Sequence, residues 1–200
     1  MAPGNVLRVV GAAAIVSLLA GCSPDSSGLA QNYGDVAEQD YFSSDGAFSF
    51  FAAQNRSESL SFSGELDIGG SWSSSEYSAQ PIVVNFWFAG CPPCRLEAED
   101  LELLHQEYRD AGVQFIGVNI LDGPETARTF ADEFGVTYPS LMDANSGLVR
   151  LSFAGQASPT AVPTTLILDH DHRVAARVNG LITDVDLMRT MITDVLAEAP

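Results

Sequence analysis

The chain has 200 residues, 46% of them hydrophobic, which is enough for one buried core with extensions. Its charge is lopsided: 26 acidic residues stand against 9 basic ones, all arginine, for a formal net charge of -17. A surface so acidic repels nucleic acid and anionic lipid head groups, so no nucleic-acid partner is expected, and the charge suits a soluble monomer. Three cysteines are too few for a disulfide-stapled scaffold or a four-thiolate zinc site. They sort into an isolated Cys22 and a close pair, Cys91 and Cys94.

Residues 1–21 carry Arg8 and then an apolar run from Val9 to Ala20. That run is shorter than the roughly 20 apolar residues a spanning helix needs, so it reads as a secretory signal. Its end, Leu19-Ala20-Gly21-Cys22, resembles a bacterial lipobox. The resemblance implies cleavage after Gly21 and a diacylglycerol on the Cys22 sulfur, placing the protein outside the cytoplasm on the bacterial cell membrane. An ordinary signal peptide with a chance cysteine and an uncleaved anchor are the other readings. Residues 22–46 are rich in Ser, Gly, Asp and Asn and read as a flexible tether, with a mean reach of roughly 25–30 Å. The folded domain is expected over 47–200, opening on the aromatic cluster Phe48, Phe50 and Phe51.

Residues 62–68 alternate apolar with small or polar side chains, and Gly69-Gly70 follows as a turn, the first part of a hairpin at the domain's edge. Residues 82–88 form a near-continuous apolar, β-branched run that suits a central strand buried on both faces. After the cysteines, Ala98, Leu101, Leu104 and Tyr108 mark one face of a helix that Gly112 closes. A strand over 113–120 follows, then a helix from Gly123-Pro124 to Phe134-Gly135, with proline at its first position. A short strand over 138–142 leads into an irregular, partly helical stretch to Ala161. Two further strands flank the polar turn 169–173 as a hairpin, and Thr183-Asp184-Val185-Asp186 opens the last helix, which buries Leu187, Met188, Met191 and Val195. The order β-α-β-α-β-β-α predicts an α/β domain with a mixed central sheet, helices on both faces, and an N-terminal β-hairpin extension.

Cys91-Pro92-Pro93-Cys94 falls where the buried strand hands over to a helix. Unpaired N–H groups and the helix dipole at that point stabilise a thiolate, and can bring a thiol from about 8.5 down to roughly 3.5–7.5. The thiolate is the nucleophile of disulfide exchange, and two intervening residues let the second sulfur reach back to resolve a mixed disulfide. Pro92 and Pro93 lack N–H groups, which costs little in a first helical turn. The competing readings are a structural disulfide, which across four residues staples almost nothing, half of a zinc site, which lacks its second pair, and two inert thiols, which do not explain the strand-to-helix location.

The segment from Asn85 to Glu97 around these cysteines resembles the active-site segment of TlpA/ResA-like proteins, extracytoplasmic oxidoreductases of thioredoxin-like fold that are often lipoproteins. Val162-Pro163-Thr164-Thr165-Leu166 is similar to that family's second signature, with its proline after a cis peptide bond. The resemblance implies a redox-active Cys91–Cys94 disulfide, with Pro163 facing it and Val162 offering backbone hydrogen bonds to a bound partner chain. It also implies protein thiols or disulfides as substrates, a membrane electron donor or acceptor, and no cofactor or metal. A reductase, for example in cytochrome maturation, and a disulfide-forming oxidase share this motif. A copper metallochaperone normally has wider cysteine spacing and a distant histidine; a thiol peroxidase wants a Thr and an Arg around its cysteine.

Three positions depart from the family: Gly90, Asp122, and Glu99, which stands where the family often has a helix-kinking proline, so this helix is expected to be straighter. Gly90 stands where a bulky residue usually precedes the first cysteine, so Cys91 is expected to be more exposed and open to different partners. Asp122 ends a segment that resembles one carrying a Glu thought to help proton transfer near the second cysteine; an Asp before Gly123-Pro124 is equally a helix cap. Trp87 is read as core or as a wall of the site, and with Gly90 and Pro92 it lines the expected substrate surface. His170 and His172 read as parts of a polar turn rather than a metal site.

Overall fold

A computed structural model describes Met1 and residues 39–155 and 161–198. Cys22, the apolar run before it and most of the expected tether lie outside the described residues. In chain order the strands are β1 (Tyr41–Phe42), β2 (Phe48–Phe50), β3 (Ser63–Glu65), β4 (Ser71–Ser73), β5 (Ile82–Trp87), β6 (Gln114–Asn119), β7 (Ser140–Met142), β8 (Thr164–Leu168) and β9 (Val174–Asn179). The helices are α1 (Pro92–Tyr108), α2 (Pro124–Phe134), α3 (Leu148–Ser152) and α4 (Val185–Ala197).

Every residue of β5 is buried, as its apolar run demands. It pairs in parallel with β6 and antiparallel with β8, and the seven-stranded sheet runs β1-β2-β9-β8-β5-β6-β7. The predicted hairpin at 62–68 forms as β3 and β4, a separate two-stranded sheet tied to β7 by a bridge between Leu66 and Leu141. A second hairpin precedes it. Strand β1 lies inside the stretch read as tether, so among the described residues pairing is seen from Tyr41 rather than from near Phe48; β2 carries it onto β9.

Alternation along the strands separates two cores. Val83, Phe115 and Ile167 pack with Leu101, Leu104 and Tyr108 of α1 and with Leu187, Met188 and Met191 of α4. Ile82, Val84, Phe86, Ile116 and Val118 face the other way, under Trp72 of the β3–β4 hairpin, Val149 of α3, and Phe153. Asp184 caps α4 by accepting from Leu187 N at 2.8 Å, as the sequence signal predicts.

The β8–β9 turn is organised by Asp169, whose Oδ1 accepts from Asp171 N and Arg173 N. His170 and His172 turn their imidazoles to the backbone oxygens of Ala79 and Tyr77. Arg56, its side chain fully buried, bridges Asp169 at 3.0 Å and Glu198 at 2.5 Å, holding the segment between β2 and β3 to the residues that follow α4.

Candidate active site

Strand β5 ends at Trp87 and a turn closed by Cys91 N donating to Phe88 O (3.1 Å) delivers the chain to α1. Cys91 is the N-cap of that helix, and its Sγ accepts from Cys94 N at 3.2 Å. Pro92 and Pro93 fill the first helical positions and offer no donors, so a single backbone N–H addresses the sulfur. The two cysteines form a disulfide with their Cα atoms 5.3 Å apart.

Behind Cys94 lies a small cavity of about 10 Å³, room for about one water. Cys94, Trp87, Asn85, Tyr138, Phe130 and Ser140 are among its walls. Trp87 therefore packs and lines the site at once: its ring lies 4.3 Å from that of Phe130, and Nε1 donates to Ser140 Oγ at 3.2 Å. Gly117 makes that bond possible, since a Cβ there would stand 2.2 Å from Ser140 Oγ and 2.8 Å from Trp87 Nε1.

Asn85 projects from β5 toward α1 and joins the cavity to a buried acid. Its Nδ2 donates to Glu97 Oε1 at 2.9 Å and to Thr165 Oγ1 at 3.0 Å. Glu97, 1% exposed, takes its second bond from Ile182 N at 3.1 Å on Oε2. Burial pushes its carboxyl up to about 7, against the lowering effect of those two bonds and with a small addition from the charge of Asp100. Reversing the Asn85 amide lets its oxygen accept from protonated Glu97 and from the Thr165 hydroxyl, so both ionisation states are satisfied. The sequence reading passed over Glu97. The signal was there: it sits three residues beyond Cys94 and four before Leu101, on the buried stripe of α1.

Asp122 does not cap α2. The N-cap is Gly123, with no side-chain bond, because the Asp122 carboxylate turns the other way. Its Oδ2 accepts from Ala89 N at 2.7 Å and from Asn119 Nδ2 at 2.9 Å, while Asn119 Oδ1 takes Asp122 N at 2.7 Å. A carboxylate oriented by a fully buried asparagine thus holds the loop that enters the cysteine pair. Arg95 approaches the same loop from α1, donating to Ala89 O at 3.4 Å while it pairs with Glu133 at 2.6 Å and lies over the Phe134 ring.

Gly90 does not lay Cys91 open: Cys91 is 2% exposed. Cys91 packs in a cluster with Trp87, Cys94 and Ala98, and Phe88, Ala89 and Val162 lie half-buried against it; the Phe88 ring carbons are 3.4 and 3.6 Å from where a Cβ on Gly90 would be, ordinary contact distance. Across the site the Val162–Pro163 bond is cis. Pro163 O accepts from Gly180 N at 2.9 Å, Thr164 Oγ1 donates to Ala161 O at 2.6 Å, and Val162 packs against the cluster containing both cysteines.

A disulfide at the cap of a helix leaving the central strand of a mixed sheet, with a cis-proline loop packed against it, defines a thioredoxin-like fold with its cysteine pair in place. The chain belongs to the AhpC/TSA family, which matches residues 56–177. Among its relatives is "Thiol-disulfide oxidoreductase ResA" of Geobacillus kaustophilus, 28% identical over 58% of this chain and 63% of that protein. Another is "Thiol:disulfide interchange protein HelX" of Rhodobacter capsulatus, 32% identical over 58% of this chain and 60% of that protein. The chain thus spans less than two thirds of the length of either. A secreted thiol-disulfide isomerase from Corynebacterium glutamicum superposes with a TM-score of 0.68 at 27% identity, covering 78% of this chain and 96% of that one. The resemblance to TlpA/ResA-like proteins read from the two motifs agrees with these relatives.

Proposed function

We propose that the protein is an extracytoplasmic thiol–disulfide oxidoreductase that exchanges the Cys91–Cys94 pair with protein thiols. The observation that carries this is the Cys91 sulfur at the N-cap of α1, bonded by Cys94 N, with the partner sulfur one turn in. In the reducing direction the Cys91 thiolate attacks a substrate disulfide, forming a mixed disulfide and releasing one substrate sulfur as a thiolate that takes up a proton. Cys94 then gives up its proton and attacks Cys91 Sγ, closing the protein disulfide and releasing the second substrate thiolate. Two electrons pass to the substrate. Glu97, protonated below about 7 and ionised above it, is the buried acid that, when ionised, can take up the proton Cys94 loses; Asn85, from which it accepts, lines the cavity with Cys94.

Reduction is the favoured direction. With prolines at both positions between the cysteines, only one backbone donor stabilises the Cys91 thiolate, and a weakly stabilised reduced form makes a poor oxidant. The lipobox-like Cys22 and relatives named as thiol–disulfide oxidoreductases suit a lipid-anchored protein re-reduced by a membrane donor, a role that could serve cytochrome maturation. Equilibration with glutathione redox buffers tests direction: a potential below about -200 mV supports a reductase, and one near about -120 mV makes it an oxidase. Copper titration and a peroxide assay separate exchange from metal delivery and peroxide reduction.

A further inference from the structure

Strand β7 is the last in the seven-stranded sheet, so the backbone groups on its outer edge have no further strand of that sheet to pair with. At Ser140, which is buried, Asp67 takes both groups. Its N–H donates to Ser140 O at 2.9 Å, and its Oδ1 accepts from Ser140 N at 3.0 Å. Asp67 lies in the turn between β3 and β4 and is itself buried, and Arg128 of α2 donates to its carbonyl oxygen. The residue is thus fixed at its N–H, its C=O and its carboxylate. Ser140 carries that constraint inward. Its Oγ accepts from Trp87 Nε1 at 3.2 Å, in space that Gly117 leaves free, and Ser140, Trp87 and Cys94 all wall the small cavity. The backbone that carries Cys91 is held separately, by Cys91 N on Phe88 O and by Asp122 on Ala89 N.

We propose that Asp67 is a positioning residue for the resolving step: by fixing Ser140 it holds the Trp87 indole in place as a wall behind Cys94, and so sets the approach of the Cys94 sulfur to Cys91. In that step Cys94 has given up its proton, and its thiolate forms the bond to Cys91 Sγ. The bond from Cys91 Sγ to the substrate sulfur breaks, and the substrate leaves as a thiolate that takes up a proton; the pair ends oxidised and the substrate reduced. The cavity gives the indole somewhere to go. Without Asp67 the buried Ser140 N–H loses its acceptor and the residue shifts to find another, and the ring can follow into the water-sized space beside Cys94. Displacement at sulfur depends on alignment: a misplacement of about 1 Å can cost about a hundredfold, so a fraction of that costs about tenfold. This inference rests on the exchange chemistry proposed above.

The test mixes reduced protein with one equivalent of the symmetrical disulfide of 2-nitro-5-thiobenzoate and follows the coloured aryl thiolate by stopped flow. One aryl thiolate leaves as Cys91 attacks, in a phase that depends on concentration; the second leaves as Cys94 resolves, in a phase that does not. Each variant is read where urea unfolding shows it folded. Asp67→Ala should slow the second phase about tenfold and leave the first unchanged. Asp67→Asn, whose amide oxygen still accepts from Ser140 N, should keep the second phase near native. Ser140→Ala, which removes the acceptor from Trp87, should slow it as much as Asp67→Ala, and the double variant should slow it no further, because both act through one bond. Asp67→Ser, whose hydroxyl stops short of Ser140 N while the backbone bonds remain, takes the place of Asp67→Ala if that variant does not fold. Equal slowing of both phases, as a merely structural role would give, overturns the inference. So do a native second phase in Asp67→Ala or Ser140→Ala, additive slowing in the double variant, or an Asp67→Asn as slow as Asp67→Ala; all of these leave exchange standing. A second phase that persists in Cys94→Ala, or no release from the native chain, overturns the exchange reading itself.

Discussion

Replacing Glu97 by Gln gives a pH-dependent stability difference whose sign and size follow from its surroundings. Burial raises the folded carboxyl from 4.5 to about 7, so the native state holds a proton across that window which the unfolded chain has released. The stabilisation tied to this proton is fully present below 4.5 and is lost as the pH rises through about 7. At about 1.4 kcal/mol per pH unit, the loss amounts to roughly 3 kcal/mol. Gln occupies nearly the same volume, keeps one acceptor oxygen for Asn85 or Ile182, and cannot ionise. Urea unfolding of the oxidised protein across pH 4.5 to about 8 at fixed ionic strength reads the effect. Relative to the native chain, Glu97→Gln should gain about 3 kcal/mol between the ends of that range, because every other carboxylate contributes equally to both. Parallel curves would mean that Glu97 is ionised normally and would remove it as the proton holder for Cys94.

Gly117→Ala drives a Cβ into Ser140 Oγ and Trp87 Nε1, so it should lose about 1–3 kcal/mol in urea unfolding and shift the Trp87 fluorescence. Asp122→Ala frees the Ala89 N–H from a charge-assisted bond and should cost about 1.5–3 kcal/mol, whereas Asp122→Asn keeps an acceptor and costs less. Arg56→Met strips one of two arginine partners from buried Asp169, Arg173 remaining at 3.0 Å, and removes an arginine from partly exposed Glu198; it should cost about 1–3 kcal/mol by urea unfolding, less than a buried carboxylate left with no counter-charge.

The elements that could be read from sequence are those whose signals are local. The run 82–87 is apolar on both faces and has no other stable home than the middle of a sheet. Gly123-Pro124 and Gly135, the last at φ 68°, bound α2 as their backbone preferences dictate. Strand β1 has no such signal: two residues ahead of a polar turn look like linker, and only pairing through β2 with distant β9 gives them structure. The site divides in the same way. Cys91, Cys94 and the cis-Pro163 loop are legible because each motif encodes a local conformation. Glu97 looked like one more charge on an acidic helix, since the donors that fix it, Asn85 and Ile182, come from a strand and a loop remote in sequence. Asp122 fitted a local cap so well that its bond across to Ala89 could be found only in three dimensions. Gly90 likewise read as an opening onto Cys91, although the cluster packed around that cysteine covers it.

The central claim is that Cys91 attacks and Cys94 resolves, and a trapping experiment tests it most directly. Cys94→Ala should accumulate substrate proteins as mixed disulfides on Cys91, released by dithiothreitol, while Cys91→Ala should accumulate none. Equal recovery from the two variants, or none from Cys94→Ala, would contradict exchange through Cys91.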